Sequence, residues 1–315
     1  MTSLLLSAKI VLPLFFLMGV GYLVRRLGWL SGKTLDEINN LCFRLFLPAS
    51  LFKNIYKADL SRLAKPGFLI FAVGIQVLIF FLLLACIPRL IRDNPARGTT
   101  AQAIFRTNFI LFGLVIASEF SSGADLSVVS LLAAVIIPLY NIGGVLLLER
   151  FRGGQPSPRA MLRQICTNPF VISCILGFLV LSLPFSTPAV FDKLVGDLAS
   201  VASPLSLLAL GAWFRPATLG RYRRELIIGT TGRLIIAPAL GILGGILAGF
   251  RDAELLAIVC MLISPTAVAT FNMAQKMDGD ADLACLLVIV QSVLSMFTMF
   301  LWIFLLNMLG FLPAP

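Results

Sequence analysis

The chain has 315 residues, of which 59% are apolar types and only 13% are charged, and its mean hydropathy is +0.98. A soluble domain carries about 25% charged residues, so this composition excludes an ordinary water-soluble fold. The apolar residues come in long unbroken runs, whereas the strands of a membrane β-barrel alternate polar and apolar residues. The composition therefore predicts an all-α polytopic membrane protein.

The chain has a formal net charge of +10 and contains no histidine. Its basic residues lie in short loops between apolar runs, so the positive-inside rule explains them better than a nucleic-acid partner does. Without histidine, His-based metal sites, acid–base relays and catalytic triads are excluded. The six cysteines lie in or beside apolar runs without CxxC spacing, as small buried hydrophobic residues do. We therefore expect no enzyme, no catalytic residue, no metal and no cofactor.

The first apolar run is interpreted as a membrane helix rather than a signal peptide, because it has no basic start and is followed by Arg25 and Arg26. A helix needs about 20 largely apolar residues to span the bilayer. On that criterion the sequence predicts ten spans: 4–24, 35–56, 67–88, 100–118, 126–148, 164–184, 193–213, 225–249, 253–274 and 281–309.

Loop charges predict the orientation of these spans. Most basic loop residues, including Arg221, Arg223 and Arg224, fall on one side if the N-terminus is outside the cell. The basic cluster between Lys53 and Lys65 is the exception. The prediction is a multi-pass protein of the cell membrane (the inner membrane in a bacterium), with both termini outside and the lipid bilayer as its surroundings.

The two halves of the chain show signs of an internal repeat. Three positions recur at a separation of 156 residues: Pro13 with Pro169, Pro48 with Pro204, and Asn108 with Ser264. Five spans in each half require the halves to insert in opposite senses, and such inverted repeats are the usual construction of secondary transporters. The predicted organisation is a first five-helix repeat over 1–150, a cytoplasmic linker over 151–163 and a second repeat over 164–315.

The fourth and ninth spans are the least lipid-like. The fourth contains Arg106-Thr107-Asn108, and the ninth contains Ser264-Pro265-Thr266 followed by Asn272. Proline removes a backbone donor, so a break is expected at Pro265. Broken helices in matching repeat positions indicate a substrate site, and the start of the second half-helix would offer N–H groups to a carboxylate. Packing alone remains the alternative reading of these polar residues.

Four basic residues fall inside predicted spans and away from their ends: Lys9, Arg44, Arg106 and Arg233. A buried Arg costs about 2.5–3.5 kcal/mol on insertion scales, so it normally faces a partner or a cavity. Arg44, Arg106 and Arg233 either balance an anionic substrate or cap backbone carbonyls, and the sequence leaves both readings open. Cation pumps and proton-coupled carriers use buried carboxylates. No Asp or Glu lies clearly at mid-membrane here, which favours an anionic substrate.

Several short motifs occur along the chain. They are Phe46-Leu47-Pro48-Ala49-Ser50-Leu51-Phe52, Asn108 with Gly113, Pro138-Leu139-Tyr140-Asn141, Asn168-Pro169, Pro204-Leu205-Ser206-Leu207-Leu208-Ala209-Leu210-Gly211 and Pro265-Thr266-Ala267-Val268-Ala269. In these residues the chain resembles the auxin efflux carrier family, whose bacterial members are permeases related to plant auxin exporters. The resemblance implies ten helices in two inverted five-helix repeats. Helices 4 and 9 would be broken and crossing, with one domain as scaffold and the other carrying substrate.

Members of that family move organic anions such as auxin, malate and malonate, and plant members form homodimers. The resemblance implies that Asn108 and Pro265 mark the crossing. Together with the polar residues above, it predicts these substrate-binding residues: Asn108, Pro265, Thr266, Arg106, Thr107, Ser50, Asn141 and Asn272. The chain departs from the family where Val115 and Thr107 replace prolines of the fourth helix and Thr270 replaces one of the ninth.

The predicted function is a secondary transporter that moves a small organic anion, a dicarboxylate or an aromatic carboxylate, by alternating access. The short central loop lacks the regulatory segment of many plant exporters, so a small carboxylate is favoured over auxin itself. The sequence leaves two alternative functions open: a sodium-coupled, bile-acid-type symporter, and a sensor or scaffold protein with a transporter fold. Nucleic acid is not expected as a partner, and a homodimer is compatible with the resemblance.

Overall fold

The computed structural model describes residues 2–57, 66–113, 116–117, 123–152, 158–183 and 187–311. The departure noted at Val115, the residues 153–157 of the predicted linker and the basic residues Arg62 and Lys65 lie outside the described residues. The side chain of Lys9 does too.

Within the described ranges the chain is helical and contains no β-strand. We number the α-helices in chain order: α1 Thr2–Arg26, α2 Gly32–Leu41, α3 Leu47–Tyr56, α4 Pro66–Leu90, α5 Asn94–Phe105, α6 Gly123–Phe151, α7 Pro158–Cys166, α8 Pro169–Leu181, α9 Ala189–Trp213, α10 Arg223–Thr231, α11 Ala237–Leu247, α12 Asp252–Ile263, α13 Ala269–Lys276 and α14 Ala281–Met308. The all-α prediction is confirmed.

Among the described residues, five helical stretches are long and apolar enough to cross a membrane: Gly67–Leu90, Val128–Phe151, Ala189–Trp213, Arg223–Leu247 and Ala281–Met308. Other predicted spans are divided into shorter helices. The predicted span 164–184 starts too early, because a separate helix, α7, ends at Cys166 and α8 begins only at Pro169. Asn168 caps α8 by accepting a hydrogen bond from the Phe170 N–H (3.0 Å), and Pro169 suits the first helical position.

Two helical stretches contain a π-helical turn before a proline. The turn Cys42–Phe46 joins α2 to α3 ahead of Pro48, and Gly232–Ile236 joins α10 to α11 ahead of Pro238. A proline inside a helix offers no N–H and crowds the carbonyl four residues earlier, and a π turn relieves that crowding by widening the ladder. The result is a continuous helix with a local bulge.

We distinguish two groups of closely packed helices, which also contact each other where α1 packs on α14. In the first group α9 packs on α1 and α3, and α3 packs on α8. In the second, α5 packs on α4, α6 and α14, while α12 packs on α6 and α11. The contact of α1 with α9 is close, because a Cβ on Gly211 would overlap the carbonyl oxygen of Met18. Only glycine permits this approach of two backbones, as in other membrane helix pairs.

The helices differ in how much of their surface is buried. Large apolar side chains such as Phe16, Ile70, Phe81 and Phe297 are exposed, which fits a lipid environment. By contrast, α12 is buried on all sides from Leu255 to Ile263, and α5 is buried from Gly98 to Phe105. The protein is thus a multi-pass membrane protein in which α5 and α12 are the buried, central helices.

Candidate functional site

The two central helices stop at matching places. Helix α5 ends at Phe105 and the chain turns extended at Arg106 (φ −89°, ψ 132°), while α12 ends at Ile263 and turns extended at Ser264 (φ −65°, ψ 141°). The extended segments meet, because the N–H of Asn108 donates to the carbonyl oxygen of Pro265 (2.8 Å). This hydrogen bond satisfies two backbone groups that neither helix can satisfy internally.

Local sequence explains the second break. Pro265 has no N–H to donate to the preceding turn, and the hydroxyl of Ser264 donates instead to the Cys260 carbonyl oxygen (2.8 Å). On the other segment, Asn108 leads into a π-helical turn, Phe109–Gly113. A Cβ on Gly113 would lie 2.8 Å from the Cys260 carbonyl oxygen, so glycine lets this turn touch α12. The glycine at position 113 therefore has a steric reason.

A cavity of about 160 Å³ lies beside this contact. Its walls come from both helix groups. The first group contributes Leu47, Ser50, Leu51, Asn54, Phe170, Ser203 and Ser206, and the second contributes Arg106, Asn108, Ile110, Leu111, Ile137, Asn141, Ala267, Val268 and Ala269. Any relative movement of the two groups would change its shape.

Arg106 is the charged residue of this cavity. Its side chain is only 7% exposed, and its Nη1 donates to the sulfur of Met273 (2.7 Å). The guanidinium carbon lies 5.8 Å from the centre of the Phe170 ring. No carboxylate pairs with it anywhere in the part of the chain that the structure describes. A thioether and an aromatic face are weak partners for a buried cation, which leaves it able to bind an anion.

The start of α13 places the positive end of a helix dipole at the cavity. Ala267, Val268 and Ala269 line the cavity where this helix begins, and the N–H groups of Thr270 and Phe271 turn back to the carbonyls of Ala267 and Val268 (2.9 and 3.0 Å). The first N–H groups of a helix have no intrahelical acceptor, and the helix dipole is positive at this end. The cavity therefore combines a guanidinium with a helix N-terminus.

Four of the eight predicted site residues line the cavity: Arg106, Asn108, Ser50 and Asn141. Asn141 donates to the Ile137 carbonyl oxygen (2.7 Å), and its own side-chain oxygen is buried without a hydrogen-bond partner among the described residues. That atom is a hydrogen-bond acceptor, so it suits a donor group of a ligand and not a carboxylate oxygen.

The other four predicted residues, Pro265, Thr107, Thr266 and Asn272, do not line the cavity. Pro265 contributes its carbonyl to the contact with Asn108, and Thr107 is buried next to Arg106. Thr266 makes its hydrogen bonds elsewhere, since its N–H donates to the side chain of Gln291 (3.1 Å) and its hydroxyl bonds that of Thr270 (3.0 Å).

Asn272 belongs to a polar clasp, which we define as Asp36 and Asn39 with Asn272, Gln275 and Lys276. The Asn272 amide donates to Asn39, whose own amide donates to Gln275. Gln275 in turn donates to the Asp36 carboxylate (2.7 Å). The clasp joins α2 to α13. Sequence reasoning did not predict Asn39 or Gln275, because both lie among other polar residues at the ends of predicted spans and carry no distinguishing signal.

The other two arginines have separate roles. Arg44 is exposed and lines a second cavity with Glu149, Arg152 and Lys276, away from the crossing segments. Arg233 is fully buried and donates to backbone carbonyls at the ends of α5 and α12. Of the two readings left open by the sequence, carbonyl capping holds for Arg233, and Arg106 alone of the three faces the cavity.

Comparison with known proteins identifies the family of this chain. The family described as "Membrane transport protein" matches residues 7–303, so the chain belongs to that auxin efflux carrier-like family of membrane transporters. It is 26% identical to a Rhizobium meliloti protein named "Putative malonate transporter", with 97% of each chain covered. It is 23% identical to an "Uncharacterized transporter" of Methanothermobacter thermautotrophicus, covering 94% of this chain and 97% of that one.

Proposed function

We propose that this chain is a secondary transporter that carries a small organic anion and binds its carboxylate in the cavity beside Arg106 and Asn108. The observation that carries the proposal is the buried guanidinium of Arg106, which lines the cavity and has no carboxylate partner among the described residues. A bound carboxylate would neutralise it and receive charge-assisted hydrogen bonds. The positive end of the α13 dipole, beside Ala267–Ala269, would add electrostatic attraction for the same anion.

The size of the cavity favours a small substrate. Its volume of about 160 Å³ lies below the roughly 300–1,000 Å³ of pockets for drug-sized ligands. A short dicarboxylate such as malonate, the molecule in the name of the Rhizobium meliloti relative, is therefore the substrate class that we propose. Ser50 and Ser206 provide hydroxyl groups around it that can donate to a second, partly desolvated carboxylate.

The transport cycle that we propose follows from the two helix groups. Ten membrane crossings form two inverted repeats, 1–150 and 164–315, joined by a cytoplasmic linker, with both termini outside. The group containing α1, α3, α8 and α9 acts as scaffold, and the group that carries the interrupted helices moves against it. Because the cavity has walls from both groups, such movement would expose the substrate to each side in turn. The cycle is compatible with a homodimer.

Two other functions compete with this one. A sodium-coupled symporter of the bile-acid type would need a cation site at the crossing. A sensor or scaffold with a transporter fold would bind the anion without moving it across the membrane. Uptake into liposomes with and without a sodium gradient separates the first from our proposal, and counterflow of labelled substrate separates the second.

The direct test is a thermal-shift screen of small organic acids on the purified protein, repeated on Asn108→Ala. We expect a dicarboxylate such as malonate to raise the melting temperature of the wild type and to have a much smaller effect on the variant. Monovalent acetate at the same ionic strength is the control for nonspecific salt effects. If none of the acids stabilises the wild type, or if Asn108→Ala responds equally, the proposed site is wrong.

A further inference from the structure

Arg233 joins the two interrupted helices at their C-terminal ends. Its Nη1 donates to the carbonyl oxygen of Ile104 (2.8 Å) and its Nη2 donates to that of Leu262. Ile104 is the last residue but one of α5, and Leu262 holds the same place in α12. One guanidinium thus caps equivalent carbonyls of both helices.

Arg233 is a buried cation whose described hydrogen-bond partners are these two carbonyls. The side chain is 0% exposed, and no carboxylate pairs with it within the described ranges of the chain. It projects from the π-helical turn Gly232–Ile236, and its Nε has no hydrogen-bond partner among the described residues. An unpaired buried guanidinium is costly, so the negative ends of the two helices are what stabilise it.

The charges balance. The C-terminus of a helix carries about half a negative elementary charge, so two converging C-termini present roughly one negative charge. The single positive charge of Arg233 offsets it. In transporters built from discontinuous helices, carbonyls at such helix ends coordinate the coupling Na⁺. Here a guanidinium already occupies carbonyls of this kind, and its charge would repel a second cation.

We propose that Arg233 is a resident cation that takes the place of a coupling sodium ion, so that anion binding at the crossing proceeds without sodium. This inference rests on the proposed function, because it names the coupling of that same site. Arg233 is a positioning residue: it touches no part of the cavity and acts by holding the ends of α5 and α12 together. Arg106 and the start of α13 then bind the substrate on the other side of the crossing.

The first experiment uses the wild-type protein. Malonate uptake into proteoliposomes is measured with an inward gradient of sodium or of choline, and the melting temperature is measured against NaCl and choline chloride at equal ionic strength. We expect uptake to differ by less than twofold and the two salts to have the same effect on melting. A larger sodium-dependent increase in uptake, or a sodium-specific rise in melting temperature, would overturn the inference.

The second experiment removes the resident charge. Arg233→Ala leaves the Ile104 and Leu262 carbonyls without a cation, so sodium should now raise the melting temperature of this variant more than choline does. Arg106→Ala, which removes the same charge away from these carbonyls, is the matched control and should show no sodium-specific rise. Equal responses of Arg233→Ala to both salts would contradict the inference.

Arg233→Lys keeps the test decisive if the alanine variant does not fold. Lysine retains the charge, so the variant should stay indifferent to sodium, and a sodium-specific rise in its melting temperature would contradict the inference. The readouts also separate the two proposals. If malonate and other organic acids are neither bound nor transported, the proposed function fails, while the salt titrations of wild type, Arg233→Ala and Arg233→Lys still report on Arg233.

Discussion

Replacing Arg106 by methionine tests the anion site most directly. Methionine is unbranched and adaptable, so it fills the space of the alkyl part of the side chain while removing the charge. In the structure the guanidinium has only the Met273 sulfur and the Phe170 ring as partners. The variant therefore loses a substrate contact and breaks no ion pair that the structure describes.

The expected loss of affinity can be estimated from that contact. A hydrogen bond to a charged group contributes about 1.5–3 kcal/mol. With about 1.4 kcal/mol per factor of ten, the dissociation constant for malonate should rise roughly 10- to 150-fold for one such bond. Stability should move the other way or stay unchanged, because inserting the buried arginine costs about 2.5–3.5 kcal/mol that methionine avoids.

The assay is an equilibrium titration of malonate at constant ionic strength, combined with melting curves without ligand. Arg44→Met is the matched control: Arg44 is exposed and lines a different cavity, so the affinity should stay within twofold of the wild type. A purely structural role for Arg106 would lower the melting temperature and leave the affinity of the folded protein unchanged. Wild-type affinity in Arg106→Met would refute the reasoning.

Three further predictions concern packing, the polar clasp and the break in the ninth predicted span. Gly211→Ala should destabilise the protein by about 1–3 kcal/mol, since its Cβ would overlap the Met18 carbonyl oxygen, whereas Gly19→Ala has open space within α1 and should not lower the melting temperature. Asn39→Leu removes the amide that bonds two side chains of α13, so melting temperature should fall by the equivalent of about 1–3 kcal/mol; an unchanged value would show that the clasp is not structural. Pro265→Ala restores a backbone N–H, so α12 should extend and malonate uptake should drop at least tenfold in protein that still folds; wild-type uptake would show that the break is dispensable.

The sequence was a good guide to features that depend on local chemistry. Apolar runs located most helices to within a few residues, and the polar character of Arg106–Asn108 and Ser264–Thr266 marked the two interruptions. Pro265 predicted a break for a reason contained in one residue, its missing N–H. The misplaced start of the sixth span has a local cause too. Asn168 and Pro169 are helix-start residues that were read within a continuous apolar segment.

Tertiary structure decided which polar side chains share the cavity. Thr266 and Asn272 lie in the same span as Pro265, yet their side chains bond Thr270 and Asn39. The direction in which a side chain points from a helix depends on how that helix is rotated against its neighbours. An interruption of the helix makes the rotation of the second half-helix unpredictable from residue spacing alone.

The three arginines show the same limit most clearly. In sequence, Arg44, Arg106 and Arg233 are equivalent: each is a cation within an apolar run. In the structure one is exposed beside a second cavity, one faces the central cavity and one caps two carbonyls. The sequence by itself determined that this is a membrane protein with interrupted central helices, because apolar runs and a missing proline N–H act locally. Only packing could assign each charge its partner, because the carbonyls that hold Arg233 lie 129 and 29 residues away along the chain.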